Sequence, residues 1–276
     1  MRVADATSPS ATARPLLVSD VDGVITDGFA VVDHRVLEHL AHLARHGWSL
    51  ALVTGRSHDW LSREILAPLR ALLPSELHET VIAACELGAV VSTCAAESPV
   101  EVRGPGLPDA TREQLRALAD EPAFAELLEW DATKHCLACV EVRHAVARVA
   151  GPDAVDAALA GYAARAGEIV AGLDALVRRT TFAVDVGPRG LTKHLGTRAV
   201  LRPGAGEPSV AIALGDSDGD REMAEELSEQ FTAPVVFAWV GDAPPPALPQ
   251  DVELIRTPGM YAEGALEALG ILQDRY

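Results

Sequence analysis

The stretch LLVSDVDGVITDG, residues 16–28, begins with a short apolar run and continues into two acidic residues and a glycine. An apolar run that stops at turn-forming residues predicts a buried strand, here residues 16–20, with Asp20 and Asp22 at its carboxyl end. In an open parallel sheet, ligands bind beyond the carboxyl ends of the strands. The stretch therefore predicts a strand of such a sheet and a ligand site that contains two carboxylates.

Strand and helix patterns alternate on both sides of a central region of the chain. Such alternation predicts a parallel sheet with helices on its faces, so the expected fold class is α/β with a Rossmann-like core. The predicted strands are 16–20, 48–55, 78–85, 209–216 and 233–240. The predicted helices are 33–46, 63–73, a helix that ends near Val200, 220–228 and 262–272.

The central region has a different pattern. Its helix candidates are 111–119, 122–128 and 152–170, and its strand candidates are 135–143, 175–179 and 181–186. The last two strands are close enough to form an antiparallel hairpin, which indicates a smaller α+β domain inserted into the α/β domain. We expect a flexible tail, a core in two parts and the inserted domain. In residue numbers, these are 1–14 for the tail, 15–89 and 187–276 for the core, and 90–186 for the insertion.

The 276-residue chain is acidic, with a formal net charge of −17. Nucleic acids and anionic membranes require a basic surface, so this charge argues against both as partners. No apolar run approaches the roughly 20 residues that cross a bilayer, and the N-terminal residues lack the apolar segment of a secretion signal. We therefore expect a cytoplasmic protein, a monomer or a homodimer, whose cysteines are reduced thiols.

Polar side chains follow two more of the predicted strands. The motif Thr54-Gly55-Arg56 follows the second strand, and the motif GDSDGD places Asp216 and Asp220 after a later one. With Asp20 and Asp22, four carboxylates would meet at one edge of the sheet, where their mutual repulsion favours a bound cation. Because carboxylate oxygens suit a hard dication, the sequence predicts a magnesium (Mg²⁺) site formed by all four.

The same residues could carry out a covalent phosphoryl transfer. A carboxylate such as Asp20 can attack phosphorus to form an aspartyl phosphate, which divides one difficult hydrolysis into two easier steps. Asp22, two residues later, can act first as general acid and then as base. Thr54 would donate a hydrogen bond to the phosphoryl oxygens, and Lys193 would offset their charge. Lys193 also stands out because only it and Lys134 are lysines among 23 basic residues.

In this order, DVDGV, TGR, a lone lysine and GDSDGD resemble the four motifs of the haloacid dehalogenase (HAD) superfamily of aspartate-nucleophile phosphotransferases. The resemblance extends over about residues 16–270. It implies Asp20 as the nucleophile, Asp22 as the acid/base and a magnesium ion that the backbone carbonyl of Asp22 also contacts. We further expect residues next to these motifs to bind the substrate, namely Gly55, Arg56, His194 and Ser217.

The inserted domain, between the second and third motifs, is similar to the type-2 cap of Cof-like and trehalose-6-phosphate phosphatases. The sequence ELGAVV (86–91) stands where such relatives carry an Asn-Gly-Ala turn. Within the cap, KHCLACVEVR (134–143) resembles the Lys-then-strand-then-Arg stretch of trehalose phosphatase caps. This resemblance implies that Lys134 and Arg143 bind the substrate from the cap side.

The implied function is a magnesium-dependent phosphatase that acts on a phosphate monoester of a sugar or sugar-like small molecule, similar to trehalose 6-phosphate. Two alternatives would use the same motifs. A phosphosugar mutase would return the phosphoryl group to a second hydroxyl, and a non-catalytic module would bind a phosphorylated metabolite without turnover. A zinc site at Cys136 and Cys139 is not expected, because no second pair with suitable spacing accompanies them.

Overall fold

The computed structural model describes residues 13–28, 30–95, 100–201 and 206–276. The predicted tail lies outside these ranges except for Ala13 and Arg14. The described strands are Leu16–Ser19 (β1), Ser49–Val53 (β2), Val81–Cys85 (β3), Val90–Thr93 (β4), Glu101–Val102 (β5), Leu128–Trp130 (β6), Ala138–Val142 (β7), Ala175–Arg179 (β8), Ala183–Pro188 (β9), Ala211–Gly215 (β10), Val235–Val240 (β11) and Val252–Thr257 (β12). The described helices are His34–Arg45 (α1), His58–Leu61 (α2), Ala67–Leu72 (α3), Asp109–Ala119 (α4), Pro122–Ala125 (α5), His144–Ala150 (α6), Pro152–Ile169 (α7), Lys193–Val200 (α8), Arg221–Gln230 (α9) and Tyr261–Arg275 (α10).

Eight strands form one mostly parallel sheet in the order β12-β11-β10-β1-β2-β3-β4-β5. The strands from β12 to β3 are parallel to their neighbours, whereas β4 and β5 are antiparallel. Strand β1 lies between β10 and β2, so the carboxyl ends of these three strands meet at one edge of the sheet. The predicted α/β class with a Rossmann-like core is confirmed.

Helices cover both faces of this sheet because successive residues of a strand point in opposite directions. Leu17 belongs to the same apolar cluster as residues of α1 and α10, and Val18 belongs to the cluster that contains residues of α9. Helix α1 begins where the side chain of Asp33 accepts the backbone N–H of Arg35. Its apolar side chains recur at helical spacing and are buried, as the sequence pattern predicts.

Four further strands form a separate antiparallel sheet in the order β6-β7-β9-β8. One face is apolar and packs against α4 and α7. On the other face, Cys139 and Arg178 are both register partners of Asp185, and register partners share a face. Glu141, two residues after Cys139, shares that face and contacts Arg56 next to the large sheet. We call the antiparallel sheet, helices α4 to α7 and the segments that join them the cap, and the rest of the described chain the core.

The antiparallel sheet begins later in the chain than the predicted boundary at residue 90. Strands β4 and β5 continue the large sheet as a hairpin-like extension beyond β3. The large sheet therefore extends to Val102, and the antiparallel sheet ends at Pro188. An antiparallel strand needs only a short connection, so it can extend the edge of a parallel sheet without a crossover helix.

Several elements differ from the sequence-based prediction. The predicted helix 122–128 is shorter, because α5 ends at Ala125 and Leu128 already belongs to β6. The predicted strand 78–85 begins only at Val81, because a 3₁₀ turn precedes it. Strand β12 has no counterpart in the prediction, since it is an edge strand in which the exposed Glu253 and Arg256 interrupt the apolar run. Within the described ranges, no helix combines the length and the apolar character that a membrane span requires.

Candidate active site

The carboxyl ends of three neighbouring strands bring together residues that are far apart in the sequence. Asp20 follows β1, Thr54 follows β2, and Asp216 follows β10. In the described part of the chain, one oxygen from each of Asp20, Asp216 and Asp220 lies within 4.8 Å of the other two. The structure thus gathers three of the four predicted metal ligands into a single cluster.

Lys193 connects two of these carboxylates. Its Nζ lies 2.5 Å from Asp20 Oδ1 and 2.6 Å from Asp220 Oδ1. Lys193 begins α8, and the side chains of Thr192 and Glu222 accept backbone N–H groups of this first turn. Burial lowers the pKa of Lys193, but the two carboxylates raise it more, so the pKa lies above its ordinary value. The lysine is therefore a fixed positive charge between Asp20 and Asp220.

Both carboxylate oxygens of the fully buried Asp220 are occupied. Its Oδ1 accepts a hydrogen bond from Lys193. Its Oδ2 accepts three hydrogen bonds, from the backbone N–H groups of Asp216 and Ser217 and from the Ser217 hydroxyl, at 3.0, 2.9 and 2.8 Å. These bonds close the GDSDGD loop around the carboxylate. Ser217, a predicted substrate contact, is instead engaged in holding Asp220.

Asp216 is less constrained than its neighbours. Ion pairs in the described residues include Asp20 and Asp220 but not Asp216. Gly23 lies against it with φ +77°, and a Cβ at this glycine would be 2.0 Å from Asp216 Oδ2. Only glycine accommodates both this left-handed backbone and so close an approach. Burial and the negative charge of Asp220 raise the pKa of Asp216 to about 7.

The pKa of Asp20 is raised by the same causes. Burial and the charge of Asp220 raise the pKa of Asp20 well above its ordinary value, although Lys193 opposes them. Such crowding of like charges is relieved by a dication, and carboxylate oxygens are the donors that magnesium prefers. The residues therefore fit the predicted ion. Asp20 and Asp216 are suited to bind it directly, whereas Asp220, with both oxygens engaged, is suited to support them from behind.

Asp22, the predicted acid/base, is paired with Arg56. Nε of Arg56 donates to both carboxylate oxygens at 3.1 Å, and Nη2 donates to Oδ1 at 2.8 Å. Nη1 donates to Glu141 of the cap at 3.2 Å. The guanidinium carbon lies 4.7 Å from the ring centre of Trp60 and 4.9 Å from that of Phe182. Arg56, a predicted substrate contact, thus joins an acid of the core to an acid of the cap.

Thr54 and Gly55 lie under the cap. The buried Thr54 Oγ1 accepts the backbone N–H of Arg56 at 3.1 Å, so its own proton can be directed to a phosphoryl oxygen. A Cβ at Gly55 would lie 3.6 Å from Asp185 Oδ2. The other oxygen of Asp185 accepts a hydrogen bond from Lys134 Nζ at 2.6 Å. The structure thus places Lys134, the predicted cap residue, close to the second motif.

Two predicted substrate contacts are engaged elsewhere. Arg143 donates from Nε to the carbonyl of Leu128, and its Nη1 lies 3.5 Å from Glu129, so its contacts are with β6 of the cap. His194 Nε2 lies 3.8 Å from Glu225 of α9. Neighbouring residues of a helix point in directions about 100° apart. His194 therefore does not share the direction of Lys193 towards Asp20.

Three acidic residues that the sequence analysis did not single out lie between core and cap. Glu141 and Asp185 are single acids inside short, otherwise apolar strands, and this interruption is a usable sequence signal for a polar face. The fully buried Glu86 accepts the successive backbone N–H groups of residues 135–137, each at 2.8 Å. No sequence pattern indicates that long-range contact.

All four cysteines are free and buried. Cys136 Sγ donates to the carbonyl of Gly104, and burial raises the pKa of the Cys85 and Cys139 thiols. Across the described residues, the aspartate cluster alone has the geometry of a metal site. The cysteines are therefore structural thiols.

No protein-family model matches the sequence, and no curated protein matches it either. Solved structures do match over nearly the whole chain. The C-terminal domain of Candida albicans trehalose-6-phosphate phosphatase aligns with a TM-score of 0.66 and 17% identity over 98% of this chain and 99% of that one. A haloacid dehalogenase-like hydrolase from Bacteroides thetaiotaomicron aligns with a TM-score of 0.59 and 15% identity over 94% and 99%. The sucrose-phosphatase of Synechocystis sp. PCC6803, solved with sucrose and phosphate, aligns with a TM-score of 0.53 and 21% identity over 95% and 99%. At these identities, the likeness establishes a shared fold.

Proposed function

We propose that this chain, which has the fold of the haloacid dehalogenase superfamily, is a magnesium-dependent phosphatase that hydrolyses a phosphate monoester of a sugar or sugar-like molecule. The observation that carries the proposal is the cluster of Asp20, Asp216 and Asp220 at the carboxyl edge of the parallel sheet, with Lys193 of α8 between Asp20 and Asp220. A doubly negative phosphate repels a carboxylate nucleophile unless positive charge surrounds both. Lys193 supplies one such charge, and the carboxylate cluster is suited to bind a second.

The first step transfers the phosphoryl group to the protein. An oxygen of Asp20 forms a bond to phosphorus while the bond from phosphorus to the leaving oxygen breaks. Asp22 in its protonated form gives that oxygen a proton, so the product leaves as an alcohol. Thr54 donates a hydrogen bond to a phosphoryl oxygen, and Lys193 offsets the negative charge. Magnesium, when bound, would neutralise the phosphoryl oxygens and help to align them with Asp20.

The second step releases inorganic phosphate. A water oxygen forms a bond to phosphorus while the bond from phosphorus to Asp20 breaks. Asp22, now a carboxylate, takes one proton of that water and so regains its initial state. Asp20 returns to its carboxylate form beside Lys193.

The cap supports the proposed substrate class. Its face towards the core is polar, and the Lys134–Asp185 pair lies close to Gly55. A buried donor and acceptor of this kind suit the hydroxyl groups of a polyol or sugar. Two of the similar structures are, by name, phosphatases of trehalose 6-phosphate and of sucrose phosphate.

The remaining proposals concern partners and location. The net charge of −17 supports a protein that binds a small phosphate ester and neither nucleic acid nor a membrane surface. We place it in the cytoplasm as a monomer or a homodimer. The division into a core and an inserted cap belongs to the same proposal.

The test is phosphate release from a broad panel of phosphate monoesters, with magnesium and with EDTA. We expect magnesium-dependent release that is concentrated on a few sugar phosphates, and none from Asp20→Asn. An isomerised product with little free phosphate would indicate a mutase. Ligand binding without any turnover, by a protein that folds and binds magnesium, would indicate a non-catalytic module.

A further inference from the structure

Arg56 is one of the least exposed charged residues, and it contacts both units of the molecule. It is 4% exposed and follows β2 of the core. Its planar guanidinium directs Nε and Nη2 to Asp22, and Nη1 to Glu141 on β7 of the cap. Arginine can serve two carboxylates at once because its donors point in fixed directions.

Two aromatic rings, one from each unit, hold the same guanidinium. Trp60 belongs to α2 of the core, and Phe182 precedes β9 of the cap, at 4.7 and 4.9 Å from the guanidinium carbon. A cation between aromatic faces is attracted to both, and more so when water is excluded. Close by, Thr133 of the cap donates from its hydroxyl to Ser57 of the core at 2.7 Å. The contacts of Arg56 therefore depend on the cap being against the core.

Opening of the cap would remove Glu141 and Phe182 from Arg56 and leave Asp22 as its only acidic partner. The guanidinium would lose one of two rings and one of two carboxylates, and with them the constraints that fix its plane. Asp22 is held by that plane through a two-pronged hydrogen bond. The orientation of Asp22 is therefore coupled to the position of the cap.

We propose that Arg56 is a latch through which closure of the cap positions Asp22 against the leaving oxygen of the substrate. Arg56 is a positioning residue, and Glu141 and Phe182 are the cap side of the latch. The inference rests on the proposed function, because the leaving oxygen is that of the proposed reaction. It adds that closure of the cap, which selects the substrate, also prepares Asp22 of the core for proton transfer.

If Arg56 positions Asp22, its loss should slow the reaction to a degree that depends on the leaving group. A clamp, meaning a contact that only stabilises the structure, should show no such dependence. A sugar alkoxide needs a proton in order to depart, so its release requires a well-placed Asp22. A nitrophenolate is stable as an anion and departs without one. Loss of the latch should therefore affect a sugar phosphate more than p-nitrophenyl phosphate, whereas loss of a clamp should affect both alike.

The variant that tests the latch is Glu141→Gln, and Glu129→Gln is its matched control. Glu129 is the register partner of Glu141 on β6, but its ion pair is with Arg143 inside the cap. For Glu141→Gln, we expect kcat to fall about tenfold or more with the preferred sugar phosphate and by less than about threefold with p-nitrophenyl phosphate. The control should stay within about twofold on both substrates. Phe182→Leu should shift the two substrates in the same direction as Glu141→Gln, and Glu141→Asp should restore part of the loss.

A second readout needs no turnover. In a Ser57→Cys/Thr133→Cys background, a mild oxidant forms a disulfide only when the cap is closed. With magnesium and inorganic phosphate present, adding Glu141→Gln should slow the initial rate of cross-linking about fivefold, which corresponds to the roughly 1 kcal/mol of an ion pair. Adding Glu129→Gln should not change the rate, and the two single-cysteine variants control for the native thiols.

An equal loss of kcat on both substrates would overturn the latch, and so would an unchanged rate of cross-linking with Glu141→Gln. Failure of the unaltered protein to release phosphate from any ester would count against the proposed function. The two failures are distinguishable because cross-linking reports the closure of the cap without any reaction.

Discussion

The only two lysines of the chain lie in different regions: Lys134 of the cap is buried, and Lys193 of the core is partly buried. Lys193 lies between Asp20 and Asp220, which come from the ends of the parallel sheet. Lys134 pairs with Asp185 inside the cap. The core therefore places its charges where parallel strands end, and any chain with this sheet has such a place. The cap places its charges on antiparallel strands and on the segments between them, as at Asp185 and Lys134, which leaves them free to differ with the substrate.

The largest effect is expected from removing the lysine of the core. For Lys193→Met, we expect kcat to fall about 10³-fold or more, because the nucleophile and the phosphoryl group lose their fixed positive charge. Two buried carboxylates also lose their partner, so the magnesium-free protein should be destabilised by about 3 kcal/mol. Steady-state kinetics and denaturant unfolding check both effects. Comparable kcat for the variant and the parent would remove Lys193 from the catalytic set.

Gly23→Ala tests whether the core depends on close packing around Asp216. A Cβ at Gly23 would be 2.0 Å from the Asp216 carboxylate, whereas at Gly47, φ +92°, nothing lies within 4 Å. Both substitutions strain the backbone by about 1–2 kcal/mol. We expect Gly23→Ala alone to weaken magnesium binding, by about 100-fold because a ligand must move. Calorimetric titration with magnesium measures this, and equal affinities for the two variants would contradict it.

Lys134→Met is the corresponding variant in the cap and tests whether its lysine serves binding and not the reaction. Its loss removes the ion-pair partner of Asp185 and a donor near Gly55, so we expect KM for the preferred sugar phosphate to rise about tenfold. The reacting groups are untouched, so kcat should change by less than about threefold. Arg143→Gln is the control, since its contacts are confined to β6. A fall in kcat as large as that of Lys193→Met would place both lysines in one catalytic set.

The smallest expected effect is a dependence of stability on pH that arises at Asp216 of the core. The pKa of Asp216 is raised to about 7, mainly by burial and by Asp220, so without metal the folded state holds a proton that the unfolded state has lost. Stability of the magnesium-free protein should therefore fall as pH rises from about 4 to 7, since unfolding then releases a proton. Magnesium competes with that proton, so the rise in Tm on adding magnesium should grow over the same range by a few degrees.

Thermal unfolding at pH 5.5 and 7.5, with and without magnesium, measures the effect. Asp216→Asn is the control, because an amide cannot titrate in this range and the contribution of Asp216 should disappear. A gain in Tm from magnesium that is the same at both pH values in the parent protein would contradict the assignment of Asp216 as a ligand.

The core site could be predicted from sequence because each residue follows directly on a recognisable strand. Asp20, Thr54 and Asp216 each come after an apolar run, and parallel pairing of those strands is enough to make them neighbours. Lys193 lies on a helix and follows no strand, and the rarity of lysine in this chain drew attention to it before the resemblance to a known motif gave it a role. His194 was expected at the site because it adjoins Lys193 in the sequence, but adjacency on a helix does not give a shared direction, and its Nε2 lies 3.8 Å from Glu225.

The cap contacts could not be predicted in this way. The pair of Lys134 and Asp185 joins residues 51 apart, and the pair of Arg56 and Glu141 joins residues 85 apart. Asp185 and Glu141 owe their position to the register of antiparallel strands, in which a shift by one residue would send every side chain to the opposite face. The apolar pattern of β7 fixes which face is buried, but not which residue of the core Glu141 meets.

The buried carboxylate of Glu86 bears on how a protein of this kind can diversify. A cap joined to its core by two short segments of chain looks like a unit that recombination could exchange. Here a side chain of the core, in a turn of three successive left-handed residues, Glu86 to Gly88, binds three backbone N–H groups of the cap. A foreign cap without those groups would leave the carboxylate buried and unpaired, at a cost of several kcal/mol. Exchange of the cap therefore requires exchange of this turn, so the cap and the turn would be inherited together.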